Sequence, residues 1–162
     1  MNEPRIDTLR KMIADIGALQ TAYHHFFPPF ADQLVHDLGQ YLGDDSSVAL
    51  CCAHGAFDFN TIYRHEGLGF DGGRYLIPVM FRFKNLQDDG QLLVRIHLHF
   101  TLDGEDLNAE VGGRAAVRVR KDDTTPLLED VYQHLRSLFD NRAWFIEGRG
   151  EDYSGTGIGF VR

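Results

Sequence analysis

The segment Gln91–Leu102, Q-L-L-V-R-I-H-L-H-F-T-L, constrains the fold of this chain more than any other. Leu92, Val94, Ile96, Leu98, Phe100 and Leu102 alternate with a second set that includes Arg95, His97, His99 and Thr101. A β-strand sends successive side chains to opposite faces of its sheet. One face of this strand therefore builds a core. The other presents an arginine and two histidines in a row.

The turns beside it suggest a register. Asp103-Gly104 between two alternating segments is a strong two-residue hairpin signal. It pairs Leu102 with Glu105, Phe100 with Leu107, Leu98 with Ala109 and Ile96 with Val111. A three-residue loop, Gly112-Gly113-Arg114, then pairs Val111 with Ala115, Ala109 with Val117 and Leu107 with Val119, which keeps apolar side chains on one face. On the polar face these registers set His97 beside Glu110, His99 beside Asn108 and then Arg118, and Thr101 beside Asp106 and then Arg120. Pro78 cannot donate to a ladder, so the strand Tyr75–Lys84 is expected to be an edge there or to carry a bulge.

Around these strands lie helical patterns. Ile6, Leu9, Ile13, Ile16, Leu19 and Tyr23 recur every three or four residues, giving an apolar stripe on a helix over 4–26. Pro28-Pro29 is expected to end that helix and to start a second one carrying Phe30, Leu34, Val35, Leu38, Tyr41 and Leu42, with Gly43 as its left-handed terminator. Thr125 and Pro126 open a third helix with Leu127, Leu128, Val131, Tyr132, Leu135, Leu138 and Phe139 on one side. Further strands are expected over 48–53, 57–63 and 156–161. The fold class that follows is α+β: an antiparallel meander packed on one face by an N-terminal helical hairpin and a C-terminal helix.

A length of 162 residues suits a single domain over 1–162, and a hydrophobic share of 43% supports a core without disulfide or metal staples. Net charge is −8, which disfavours nucleic acid as a partner. The basic cluster Arg114, Arg118, Arg120 and Lys121 is expected to pair with nearby acids. Cys51 and Cys52 are adjacent, a spacing that suits neither a stapling disulfide nor zinc, and they read as small buried thiols in a reducing compartment. The N-terminus lacks the basic start and apolar run of a signal peptide, and no segment approaches the roughly 18 apolar residues of a membrane span. The expectation is a cytoplasmic protein with no membrane partner.

His97, His99 and Glu110 are the strongest candidate metal ligands, since two histidines on one strand face with a neighbouring carboxylate resemble a 2-His-1-carboxylate set. The spacing Gly90-x6-His97-x-His99-x5-Glu105-x6-Gly112 is similar to the first cupin motif over 23 residues. Both of its inner gaps are longer than that motif's, and no second cupin motif follows, so the family is not assigned. Gly67, Gly69 and Gly72 match G-x-G-x-x-G, but a strand follows where a phosphate-binding helix is required, and the segment reads as a hairpin loop. His65-Glu66 reads as part of a solvated loop. A docking patch at Phe26-Phe27 or Trp144 requires those rings to be exposed.

Two functional readings result. In the first, the chain is a small acidic binding module without catalysis. It docks a protein partner, favourably a basic one, and a homodimer is in keeping with it. Secretion chaperones and toxin-neutralising immunity proteins are small acidic domains of this general size and charge. In the second, a small-molecule or metal-binding protein or enzyme uses the face formed by His97, His99, Glu110 and Arg118, covered by the 64–74 loop or the 144–162 segment. The residues carrying either reading are His97, His99, Glu110, Asn108, Arg118 and Arg95. No catalytic residue and no cofactor is assigned, and the metal is left open.

Overall fold

A computed structural model describes residues 4–55, 59, 65–84, 89–140 and 156–161. The chain forms helix α1 (Arg5–Leu42), a short turn of 3-10 helix (Asp45–Ser47) and strands β1 (Val48–Leu50), β2 (Gly69–Asp71) and β3 (Arg74–Lys84). Strands β4 (Gln91–Asp103), β5 (Asp106–Val111) and β6 (Val117–Arg120), helix α2 (Thr125–Asp140) and strand β7 (Thr156–Val161) follow. The architecture is α+β with an antiparallel sheet of 7 strands, ordered β1-β3-β4-β5-β6, with β2 added to β3 and β7 added to β4. The expected strand over 57–63 and the rings of Trp144 and Phe145 lie outside the described residues.

β4 organises this sheet. One of its edges pairs with β3 from Gln91 to Phe100. Its other edge is shared: β5 takes Leu98–Asp103, and β7 takes Gln91–Ile96. At the junction the Gly112 N–H donates to the His97 carbonyl at 3.0 Å. The even positions Val94, Ile96, Leu98 and Phe100 join Tyr75, Ile77, Val79 and Phe81 of β3, together with the apolar faces of both helices, in one buried cluster.

The β5–β6 ladder has the expected register, Leu107 opposite Val119 and Ala109 opposite Val117. β6 starts later than expected, at Val117, after a turn closed by the Arg114 N–H on the Val111 carbonyl at 3.0 Å. The β4–β5 register is corrected. Leu102 faces Leu107, Phe100 faces Ala109 and Leu98 faces Val111, so the loop is Gly104-Glu105. Gly104 has φ 61° and stands at the first central position, where a II′ turn takes glycine. Glu110 consequently lies opposite His99, not His97, and Asn108 lies opposite Thr101.

Pro78 lies inside the sheet at a gap in its outer edge. β1 pairs with Val79–Phe81 and β2 with Arg74–Leu76, leaving Ile77 and Pro78 between them. The Cys51 N–H donates to the Pro78 carbonyl at 3.2 Å, so the proline's missing donor faces the same gap and costs the β3–β4 ladder nothing.

The helical hairpin is also corrected. α1 is one helix of 38 residues with Pro28 and Pro29 inside it. An interior proline loses one backbone bond, clashes with the preceding turn and costs roughly 3 kcal/mol. Two features offset this. Tyr23, Phe27, Phe30, Ala31, Leu34 and Leu38 are all buried at helical spacing on both sides of the prolines, and a corner at 28–29 would withdraw one half of them from the sheet. The carbonyls deprived of donors belong to His24 and His25, both exposed, where water can replace the lost bonds. The helix ends at Gly43 as expected, with the Gly43 and Asp44 N–H groups returning to the Gln40 and Gly39 carbonyls at 3.1 and 3.0 Å.

A continuous helix makes Pro29, which is exposed, an unfavourable residue rather than a corner-former. Replacing it with alanine restores one N–H on the His25 carbonyl. Pro29→Ala is expected to raise stability by about 1–2 kcal/mol, after allowing for the unfolded-state entropy that proline removes. Urea unfolding checks this, and a lower midpoint would argue for a corner at this position.

Candidate functional site

The odd face of β4 is buried rather than solvated. Arg95, His97 and His99 are only 7–8% exposed. The segment after β1 and the β2–β3 hairpin cover them, and each side chain takes a partner from that cover. The Arg95 guanidinium donates to the Gly55 carbonyl at 3.1 Å, and His97 Nε2 to the Ala53 carbonyl at 2.7 Å. His99 Nε2 lies 2.8 Å from the Asp71 carboxylate on β2. Carbonyls and carboxylates only accept, so both imidazoles carry hydrogen at Nε2. The His54 ring stands edge-on to His97 with centroids 5.7 Å apart, and His97 and His99 are 6.2 Å apart.

β2 is in place because of its turn. Gly72 and Gly73 have φ 58° and 79°, the pair of positive values that a I′ hairpin loop requires. This turn folds Asp71 back beside Arg74 and over His99. The hydrogen bond from His99 holds the Asp71 carboxyl below the usual carboxylate range. The glycine run thus forms a tight hairpin in the position expected of a cover.

The remaining candidate residues share the face but are bound elsewhere. Glu110 forms an ion pair with Arg74. Asn108 sits in the ladder between Thr101 and Arg118. Arg118 lies outward on β6, with its guanidinium on Asp106 at 2.6 Å and Asp103 at 3.5 Å. The six candidates therefore lie on one face without converging on a common point. Among the described residues no group of three or more His, Cys, Asp or Glu side chains is placed to hold a metal ion.

Other candidates are engaged as well. His65 pairs with Asp32 of α1 at 3.1 Å. Cys51 and Cys52 are free thiols, and burial pushes that of Cys51 up to about 12, so it stays protonated and a poor nucleophile. Phe27 is fully buried and Phe26 packs against the core, so neither is a patch. Residues missed in the sequence are Asp71, Arg74 and His134. Asp71-Gly72-Gly73 between two extended segments is a hairpin signal that could have located the first two. His134 falls on the apolar side of α2, where its Nε2 lies 2.8 Å from the Thr156 hydroxyl.

No family model, curated protein or solved structure matches the chain.

Burial holds both the His97 and His134 imidazoles below the ordinary histidine value. The unfolded chain therefore takes up protons at these positions where the folded chain does not. Their stabilising contribution is complete above the ordinary value of about 6.5 and is lost as pH falls below it toward the depressed folded values. Asp71 titrates lower and stays outside this window. The urea midpoint is expected to fall between about pH 7.5 and 5.5. In the double variant His97→Gln/His134→Gln that fall should shrink, and an unchanged fall would assign it to other groups.

Proposed function

We propose that this chain is a protein-binding module without catalytic activity, and that it docks through the N-terminal half of α1 rather than through the histidine face. The exposed apolar stripe of that half is the observation that carries this reading. Residues 5–22 are all exposed apart from the half-exposed Asp7, which pairs with Arg10. Along them Ile6, Leu9, Met12, Ile13, Ile16 and Leu19 are 53–68% exposed. At 100° per residue they fall within about 140° of arc, the width of a core-facing stripe. Scattered single apolar side chains are ordinary on a surface, whereas a contiguous stripe marks an interaction site.

A protein suits this stripe better than a lipid surface. Membrane-surface helices carry a polar face rich in lysine and arginine. Here the polar side offers Asp7, Thr8, Arg10, Lys11 and Asp15, on a chain of net charge −8. That acidity also speeds encounter with a basic partner. Among the described residues no helix is long and apolar enough to cross a membrane. Two free thiols are in keeping with a reducing, cytoplasmic setting. A small-molecule, metal or catalytic site on His97, His99, Glu110 and Arg118 would require these side chains to leave the bonds they make to the cover and to Arg74, Asp103 and Asp106.

Position-specific photo-crosslinking in the native host tests this. A photoreactive residue at Ile13 of the full chain is expected to give a discrete protein adduct. One at Ala18, on the opposite side of the helix, is expected to give none. Lipid adducts, equal labelling at both positions, or no adduct at Ile13 would overturn the proposal.

A further inference from the structure

We infer that the occupant of the exposed stripe is a second copy of this chain, laid antiparallel on the first. This builds on the docking role of the stripe and names its partner.

The spacing of the stripe is symmetric. The intervals between Ile6, Leu9, Met12, Ile13, Ile16 and Leu19 run three, three, one, three, three. A two-fold axis between Met12 and Ile13 places Ile6 over Leu19, Leu9 over Ile16 and Met12 over Ile13 of the other copy. Every large apolar side chain then meets another. A self-complementary patch of this kind is what an isologous two-fold interface requires.

The body of the protein selects the direction. On the helical wheel, Tyr23, Phe27, Phe30, Ala31, Leu34 and Leu38 continue the stripe, and they are buried against the sheet and α2. From Tyr23 onward the sheet therefore occupies the stripe side of α1. A parallel partner would have to place its own helix and sheet in that occupied space. An antiparallel partner does not. The first residue of its helix, Arg5, reaches only to Gln20, and its body begins beyond the first copy's N-terminal turn. The overhang of about 27 Å at 1.5 Å per residue is thus used along nearly its whole length.

The area is sufficient. Six large side chains from each arm bury on the order of 1,000 Å² in total, the lower limit for a specific interface. Among the described residues nothing packs on the stripe of this arm, and helices of this length are marginal in water without tertiary packing.

Sedimentation equilibrium of the full chain over a dilution series reads the mass. The expected result is twice 18.4 kDa at the concentrated end, falling twofold on dilution. Ile13→Asp, next to the axis, should give single-chain mass throughout. At dilution, where the unmodified protein is also a single chain, the two urea midpoints should agree, because this side chain is exposed and outside the core. Direction is read by disulfide trapping in a Cys51→Ala/Cys52→Ala background. Leu9→Cys mixed with Ile16→Cys should cross-link, and each alone should not, because like positions lie about 10 Å apart along the axis, beyond disulfide reach. Single-chain mass for the unmodified protein at every concentration overturns the second copy. Cross-linking of Leu9→Cys alone overturns the antiparallel direction. If the mass is that of one chain while Ile13 captures a different protein in cells, this inference fails and the docking role stands. If Ile13 captures nothing, both fail.

Discussion

Both faces of β4 are buried, and this constraint shapes most of the molecule. An apolar face under helices is ordinary for such a sheet. The second face carries Arg95, His97 and His99, which must be removed from water with their hydrogen bonds intact. The protein meets that demand with backbone and one carboxylate. The carbonyls of Ala53 and Gly55 and the Asp71 side chain are brought over the strand by the chain after β1 and by β2. The polar row therefore acts as a set of anchors for its own cover. Removing an anchor would forfeit one of these hydrogen bonds, a net cost of roughly 0.5–1.5 kcal/mol.

α1 divides at Tyr23. Beyond it the helix is welded to the sheet by aromatic contacts: Phe27 stacks on Tyr75 at 4.5 Å, and Phe27 and Phe30 each lie 5.5 Å from Phe100. Tyr23 itself accepts the Leu102 N–H on its hydroxyl at 2.8 Å. Before it, the same stripe continues with nothing described packed upon it. One amphipathic pattern thus serves two environments, and the packed half holds the free half in a defined direction.

Periodicity made much of this legible. It placed β4, both outer faces of the β5–β6 ladder, the apolar side of α2 and the last strand at Thr156–Val161. It could not settle the β4–β5 register. A slip of two residues preserves every face, so pairing Leu102 with Glu105 or with Leu107 satisfies the same hydrophobic pattern. The choice rests on whether Gly104 takes the second or the first central position of the turn. Pro28-Pro29 misled for a related reason. A local rule assigns a break, and the aromatic spacing on either side overrides it. The candidate residues His97 and His99 were visible as a row, but their state was not. Whether a strand face is wet or covered depends on a loop and hairpin that approach from distant sequence, and nothing within Gln91–Leu102 records them.

Charge bears on how two such chains can meet. Each copy carries a net charge of −8, and bodies held side by side would repel through that field. Salt screens the repulsion over a Debye length of about 8 Å at physiological ionic strength. Arms overlapped antiparallel set the bodies at opposite ends of roughly 27 Å of paired helix, well beyond that distance. The acidic surface that favours a basic partner elsewhere then costs the self-association little. The near-neutral arm, with Arg5, Arg10 and Lys11 against Asp7 and Asp15, lets a second copy approach closely without meeting an excess of negative charge. Direction, charge and the symmetric spacing of the stripe converge on the same geometry from independent physical grounds.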